Sequence, residues 1–296
     1  MKKTVFIFLT LLIFKQSFSQ STDTISIFEK YDKLIYTAKI NYVDKDFKNA
    51  LYNFKKALKI IPNDLPEIYF NAAVAALNVK DYEEAKHLII ESIRIKNASF
   101  YYFCNYDEFD PFRDNKLFEE IEHNYPIYQA EFFKNLENPE IYCELEPFSK
   151  NNSLVNKINN TYCDKKTANI YRLIEITKMY GWQEMGWHIL WEQRGTYGEN
   201  NEIWNFFKPF INSQIKVGKI RKSFWALFDE DAQISNHQTQ IYGLFWNQLD
   251  EYPIIDIENV DKRLKKVGLP PLWYMRKVLG VKLPEAYKGN PETSSL

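Results

Sequence analysis

Two stretches of this chain, 35 residues apart, repeat one another, and that repeat constrains the fold more than any other feature. Lys45-Asp46-Phe47 with Ala50 returns as Lys80-Asp81-Tyr82 with Ala85. The neighbours recur too. Phe54, Ala57 and Pro62 follow the first copy, and Ile89, Ser92 and Asn97 hold those places in the second. Ahead of them, Leu34 and Ala38 match Tyr69 and Ala73. Self-similarity at such a period marks stacked supersecondary units. The residue types suit paired antiparallel helices. Small side chains at Ala38, Ala50, Ala73 and Ala85 allow close crossings, and Phe54 and Ile89 fill the grooves beside them. Pro62 stops a helix, because it has no N–H to donate and its ring crowds the preceding turn. Each pair leaves an apolar face for its neighbour to cover.

Residues 31–97 resemble the tetratricopeptide repeat; the second copy is looser and runs one residue longer. The run Asp107, Phe109, Phe112, Arg113, Asp114 and Phe118 resembles the segment that closes such arrays, with Phe118 capping the last groove. The resemblance implies binding: a concave surface that takes a protein or peptide partner. Candidate partner-binding residues on the first helices of each pair are Tyr31, Lys39, Asn71 and Asn78. Two repeats are too few to stand alone, so the following helices are expected to cap them.

The N-terminus reads as an export signal over residues 1–19. Lys2 and Lys3 precede an apolar run from 4 to 14, followed by Ser17-Phe18-Ser19 and then Gln20. Eleven apolar-dominated residues are too few to cross a hydrocarbon core of about 30 Å as a helix. No Cys follows the run, which argues against a lipid anchor. The mature chain is expected to start near Gln20 and to be periplasmic or secreted. No later stretch is apolar and long enough to span a membrane. Charge is balanced, 38 basic against 39 acidic residues, and well mixed, so nucleic-acid binding driven by bulk charge has no support. In an oxidising compartment two of Cys104, Cys143 and Cys163 could pair, Cys143 with Cys163 closing a plausible loop; the alternative is three small buried hydrophobes.

Domain organisation follows. Residues 28–123 hold the repeats and their cap, and 124–164 form a junction with Pro126, Pro139, Pro147 and the polar run Lys150-Asn151-Asn152-Ser153. Helical residues 127–136 and a weakly strand-like stretch at 141–145 lie within it. A helical domain covers 165–283, with amphipathic spans at 167–181, 183–191, 201–217, 220–232 and 260–267. A disordered tail covers 284–296. The fold class expected is all-α: a tetratricopeptide-like helical hairpin array followed by a mostly helical C-terminal domain.

Residues 165–275 resemble a bacterial family known only as a domain of unknown function. The resemblance rests on Asn169, Arg172-Leu173, Glu175-Ile176, Tyr180-Gly181-Trp182, Leu227 with Asp229, Gln240 with Tyr242-Gly243, Val260-Asp261 with Arg263, and Gly268-Leu269 with Pro271-Leu272. It implies no reaction. This chain departs from the family at Gln193, Glu230 and Leu244, where the family has polar groups of other kinds.

Catalytic motifs are sparse. No two of His87, His123, His188 and His237 are spaced as helical metal ligands around a Glu, and no cofactor or metal signature occurs. His188, between Trp187 and Ile189, reads as a partly buried structural histidine. The best catalytic candidates are Asp229, His237, Gln240 and Tyr242, with His237 in a polar loop. Glu175, Glu192, Asp229 and Asp261 would need to share one cleft for glycan cleavage. Three readings stand: an exported interaction or scaffold protein of the cell envelope, a hydrolase-like or small-ligand-binding domain, and a purely structural module.

Overall fold

The computed structural model describes residues 26–62, 65–150 and 162–291, and only the backbone of 148–150 and 162–168. The expected signal at 1–19, residues 151–161 of the junction and the last residues of the tail lie outside the described residues. The chain is all-α. Among the described residues there is no strand, and only an isolated parallel bridge joins Gln240 to Ile254.

Residues 31–97 form two consecutive helix–turn–helix units. Helix α1 (Ile27–Val43) pairs with α2 (Phe47–Ile60), and α3 (Pro66–Asn78) pairs with α4 (Tyr82–Lys96). The two turns are the same turn. Lys45 (φ 61°) and Lys80 (φ 63°) are both left-handed. The next residue, Asp46 or Asp81, donates its N–H to the carbonyl of Asn41 or Ala76, at 2.8 and 2.9 Å. Its carboxylate then accepts from the N–H of Asn49 or Glu84, at 3.3 and 3.2 Å, and starts the second helix. The repeated Lys-Asp pair is therefore a turn instruction. Ala38, Ala50, Ala73 and Ala85 are all fully buried, as close helix crossings require. Helix α3 is buried without interruption from Ile68 to Leu77, because α2, α4 and the turn at Asp107–Phe112 surround it.

After α4 come α5 (Phe100–Cys104), a 3-10 turn at Asp107–Phe112 and α6 (Lys116–Lys134), which packs on α4. Arg113 ties this closing segment together. Its guanidinium lies 5.4, 5.5 and 5.1 Å from the ring centres of Phe103, Phe109 and Phe118. It also donates to the carbonyls of Phe103 and Cys104 at 2.8 and 2.9 Å. Stacked on aromatic faces and hydrogen-bonded, the charge is stabilised where bare burial would penalise it. Phe118 is buried as expected of a cap.

The junction is corrected. α6 runs through residue 124 with Pro126 inside it, and α7 (Pro139–Lys150) occupies most of the rest of the described part. The strand-like residues 141–145 are helical, because Ile141 and Leu145 sit one turn apart and pack with Ile170 and Leu173. Those two belong to α8 (Tyr162–Tyr180), which stops at Gly181 (φ +78°), a backbone state that favours glycine. Then follow α9 (Gly186–Trp191), α10 (Glu202–Lys216) and α11 (Ala226–His237) around a core of Trp204, Phe207 and Phe228. The chain ends with α12 (Val260–Lys266) and α13 (Leu272–Leu279). Its tail beyond 283 is not free. Tyr287 is buried, donating its hydroxyl to Asp261 Oδ2 at 2.8 Å and accepting the Trp273 N–H at 2.9 Å.

The C-terminal half returns to the first helix. Tyr36 of α1 packs on Tyr274 of α13, ring centres 5.1 Å apart, with Ile40 beside it. Arg221 donates to Asp32 at 3.2 Å, and Lys222 and Lys277 pair with Glu29 and Asp44. Residues 29, 32, 36, 40 and 44 follow the helical period, so they form one stripe along α1. Exposed ion pairs contribute about 0–1 kcal/mol each, whereas burying an aromatic or aliphatic side chain contributes about 1.5–3 kcal/mol. The rings therefore hold this seam and the charges orient it. Tyr274→Ala is expected to cost about 3 kcal/mol and Lys277→Ala less than about 1 kcal/mol. Urea midpoints measure both, and the reverse order would show that charge holds the seam.

Candidate functional site

The C-terminal candidates separate. Gln240 is fully buried and its amide is consumed by the backbone: it donates to the carbonyls of Phe245 and Tyr252 at 3.1 and 3.0 Å and accepts the Phe245 N–H at 3.0 Å. Glu230 holds the same loop from the other side. Its 0% exposed carboxylate accepts the N–H groups of Ile241, Tyr242 and Leu244. Burial pushes this carboxyl up, and those N–H bonds oppose the shift. Gly243 (φ +75°) completes the turn; a Cβ there would lie 2.7 Å from Ile254 Cδ1. Arg263 closes the loop by donating to the carbonyls of Ile241 at 3.0 Å and Asp256 at 3.0 Å. Asp261 accepts the Leu272 N–H at 2.8 Å and so caps α13.

His237 is the exposed last residue of α11 rather than part of a loop. His188 is half-buried against Trp187, and burial lowers its pKa. Arg172 is engaged elsewhere, with Glu144 at 2.8 Å and Glu175 at 2.9 Å. Of the four carboxylates weighed for one cleft, Glu175 pairs with Arg172, Asp229 with Tyr197, and Asp261 with Tyr287 and the Leu272 N–H. What remains of the catalytic set is Asp229. It accepts the Tyr197 hydroxyl at 2.9 Å, and Lys208 lies over the Tyr197 ring, 4.0 Å from its centre. Burial raises the Asp229 carboxyl, with the Tyr197 bond and Lys208 opposing, and Tyr242 lies within its electrostatic reach. Among the described residues no group of three or more His, Cys, Asp or Glu is placed to hold a metal ion. Cys104 is half-buried and Cys143 exposed, both as free thiols, and the Cys163 side chain lies outside the described residues.

The face shared by α1, α3 and the closing segment carries the more connected arrangement. Lys39 of α1 pairs with Glu67 Oε1 at 2.8 Å. The same oxygen accepts from Asn71 Nδ2 at 3.3 Å. Asn71 Oδ1 accepts the Tyr106 hydroxyl at 2.6 Å, which also lies 3.3 Å from Glu108 Oε2. Glu108 in turn accepts the Tyr42 hydroxyl at 2.6 Å, back on α1. Six side chains thus close a ring across α1, α3 and the Asp107–Phe112 turn. The phenols of Tyr42 and Tyr106 are raised, first by burial and then by Glu108.

Of the expected groove residues, Lys39 and Asn71 belong to this ring, Asn71 at 8% exposure. Tyr31 is 1% exposed and sits in the hairpin core, beneath the Arg221 guanidinium. Asn78 is exposed and donates back to the Val74 carbonyl of its own helix at 2.9 Å. Sequence reasoning missed Tyr42, Glu67, Tyr106 and Glu108. The spacing of Lys39 with Tyr42 and of Glu67 with Asn71 was visible as shared helix faces, but the Tyr106 and Glu108 partners depend on how the closing segment folds over. In comparisons with known proteins, the chain matches no family model, no curated relative and no solved structure.

Two substitutions separate architecture from function in the C-terminal half. Glu230→Ala strips several buried N–H groups of their acceptor, each costing about 1–3 kcal/mol, and is expected to unfold the 240–245 loop, read as lost amide protection there. Asp229→Asn keeps an acceptor for Tyr197 and removes the charge. Because burial raises this carboxyl, its stabilising protonated form is fully present below the ordinary carboxylate range and lost as pH rises through the raised value. The Asn variant should therefore raise the urea midpoint at about pH 7 and leave it unchanged at about pH 3. A fall at neutral pH would mean that the ionised carboxylate supports the fold.

Proposed function

We propose that this chain is an exported protein-interaction module of the cell envelope, in which two tetratricopeptide-like helix pairs dock a segment of a partner protein on their inner face. One observation carries the reading: two helix–turn–helix units built on the same Lys-Asp turn stack so that α1 and α3 present the Lys39–Glu67 pair on one face, held by the buried Asn71, which donates to Glu67. Polar side chains fixed by one another cost little entropy to hold when a partner arrives, which favours recognition. Export rests on the order of charge, apolar run and small residues ahead of Gln20. No helix among the described residues is long and apolar enough to cross a membrane.

The C-terminal half then serves as a support. Gln240, Asp261 and Arg263, which carry part of its resemblance to the family of unknown function, make backbone-directed contacts that fix the loop and α13. A hydrolase-like reading retains the raised Asp229 carboxyl beside Tyr197 as its one supporting feature.

The test is affinity capture from an envelope extract with the mature protein against Lys39→Ala combined with Asn71→Ala. Both positions contact the ring and neither is a large core side chain. Specific partners should disappear with the double variant while its circular dichroism is unchanged. Identical retained proteins would remove the inner face from the binding role.

A further inference from the structure

The chain as a whole carries a net charge of −1, yet its cations are not spread evenly. Three segments distant in sequence meet at the start of α1. A Cβ on Gly218 would lie 3.9 Å from Ser26 Cβ, and one on Gly268 would lie 3.4 Å from Lys222 Cβ. The first turns of α1, the connection after α10 at 217–222 and the end of α12 therefore adjoin. Arg221 and Lys222 pair with Asp32 and Glu29, so both acidic residues at this end of α1 are already matched. Lys30 and Lys33 follow Ser26 by four and seven residues, which puts them on its stripe of the helix, beside Gly218. Lys216 and Lys219 flank Gly218, and Lys265 and Lys266 come just before Gly268. These six lysines are exposed, and among the described residues none of them has a carboxylate in ion-pair range.

Helix ends account for part of this set. Lys216 sits in the last turn of α10, and Lys265 and Lys266 in the last turn of α12, where a helix favours cations. Lys30 and Lys33 lie toward the positive end of α1 and gain nothing from its dipole. Like charges gathered on one face repel one another, so their open arrangement suits an external anionic surface. Two exposed apolar side chains stand among them. Ile27, next to Ser26, is 50% exposed, and Val217, next to Gly218, is 65% exposed. A phosphate backbone offers aliphatic side chains little, whereas a bilayer takes cations at its headgroups and apolar side chains at the boundary with the acyl chains. The described fold also begins at Ser26, on this face, with the apolar run at 4–14 upstream in the chain. An export leader engaged with a membrane is thus joined to the fold here.

We propose that this face, formed by the first turns of α1, the 217–222 connection and the end of α12, docks the protein peripherally on an anionic lipid bilayer. The lysines lie on the headgroup phosphates, and Ile27 and Val217 dip between them. The surface is separate from the Lys39–Glu67 face, so either can hold without the other.

The test is flotation of the chain from Gln20 onward with vesicles of pure phosphatidylcholine or of equal parts phosphatidylcholine and phosphatidylglycerol. At about 0.1 M salt the anionic vesicles should carry about tenfold more protein than the neutral ones, and at about 1 M salt the difference should vanish. Lys30→Glu with Lys33→Glu should abolish the preference and leave the circular dichroism unchanged, since both side chains are exposed. Val217→Ser should weaken it a few-fold. Lys116→Glu with Lys134→Glu, which reverses two exposed charges on α6, should leave it intact. Equal binding to both kinds of vesicle, or to neither, overturns the proposal. A loss from the α6 variant as large as that from the α1 variant overturns this face as the site. Retention on double-stranded DNA without flotation overturns the bilayer as occupant.

Discussion

Helix α1 is buried along two stripes, and most of the architecture depends on that. Tyr31, Ile35 and Ala38 face the first helix pair, while Tyr36 and Ile40 face α13 and the core of the C-terminal half. A helix covered on one side alone would leave the inner face open along its whole length. Here the returning chain supplies a second wall, over sequence separations of 189 to 233 residues. The acidic residues of the second stripe, Glu29, Asp32 and Asp44, meet Lys222, Arg221 and Lys277, so the register of the return is set by opposite charges at both ends of the helix. Apolar contact in the middle supplies the larger share of the stabilisation.

Within the first half, aromatic crowding replaces a further repeat. Phe70 touches Tyr102, Phe103, Tyr106 and Phe109, so the segment after α4 folds over α3. A third helix pair would bury the same face with aliphatic residues. The rings do it in fewer residues, and their hydroxyls reach the polar inner face that aliphatic side chains would leave unsatisfied. The chain's abundance of Tyr and Phe, neutral as composition, becomes intelligible at this point: Tyr42 and Tyr106 each cover a ring while directing a hydroxyl to Glu108.

The parts legible in the sequence were those specified locally. The Lys-Asp turns, the four crossing alanines, the stop at Pro62 and the glycine ends of α8, α10 and α12 depend on neighbours a few residues away, and all were readable as spacing. Within the junction, prolines at 126, 139 and 147 suggested breaks, yet its described part is largely helical. Pro139 instead starts a helix, where its missing N–H costs nothing, and Pro126 is carried within one. The loop at 240–245 shows the limit more sharply. Gln240 reads as a catalytic candidate in the sequence, since both chemistry and loop capping select the same acceptors and donors. Only the identity of the partner, backbone N–H rather than an open space, separates the two uses, and that partner is fixed by long-range folding.

The two polar clusters of the molecule therefore differ in kind. Around Gln240 and Glu230 the acceptors are filled by main-chain donors, and the arrangement is complete as it stands. Between α1, α3 and the Asp107–Phe112 turn the partners are side chains that hold one another, Lys39 with Glu67, Asn71 with Tyr106 and Tyr42 with Glu108. Glu67, with a side chain 44% exposed, and Glu108, which is exposed, both keep contact with solvent, so an oxygen left open on either costs little and the cluster needs no further donor to be stable.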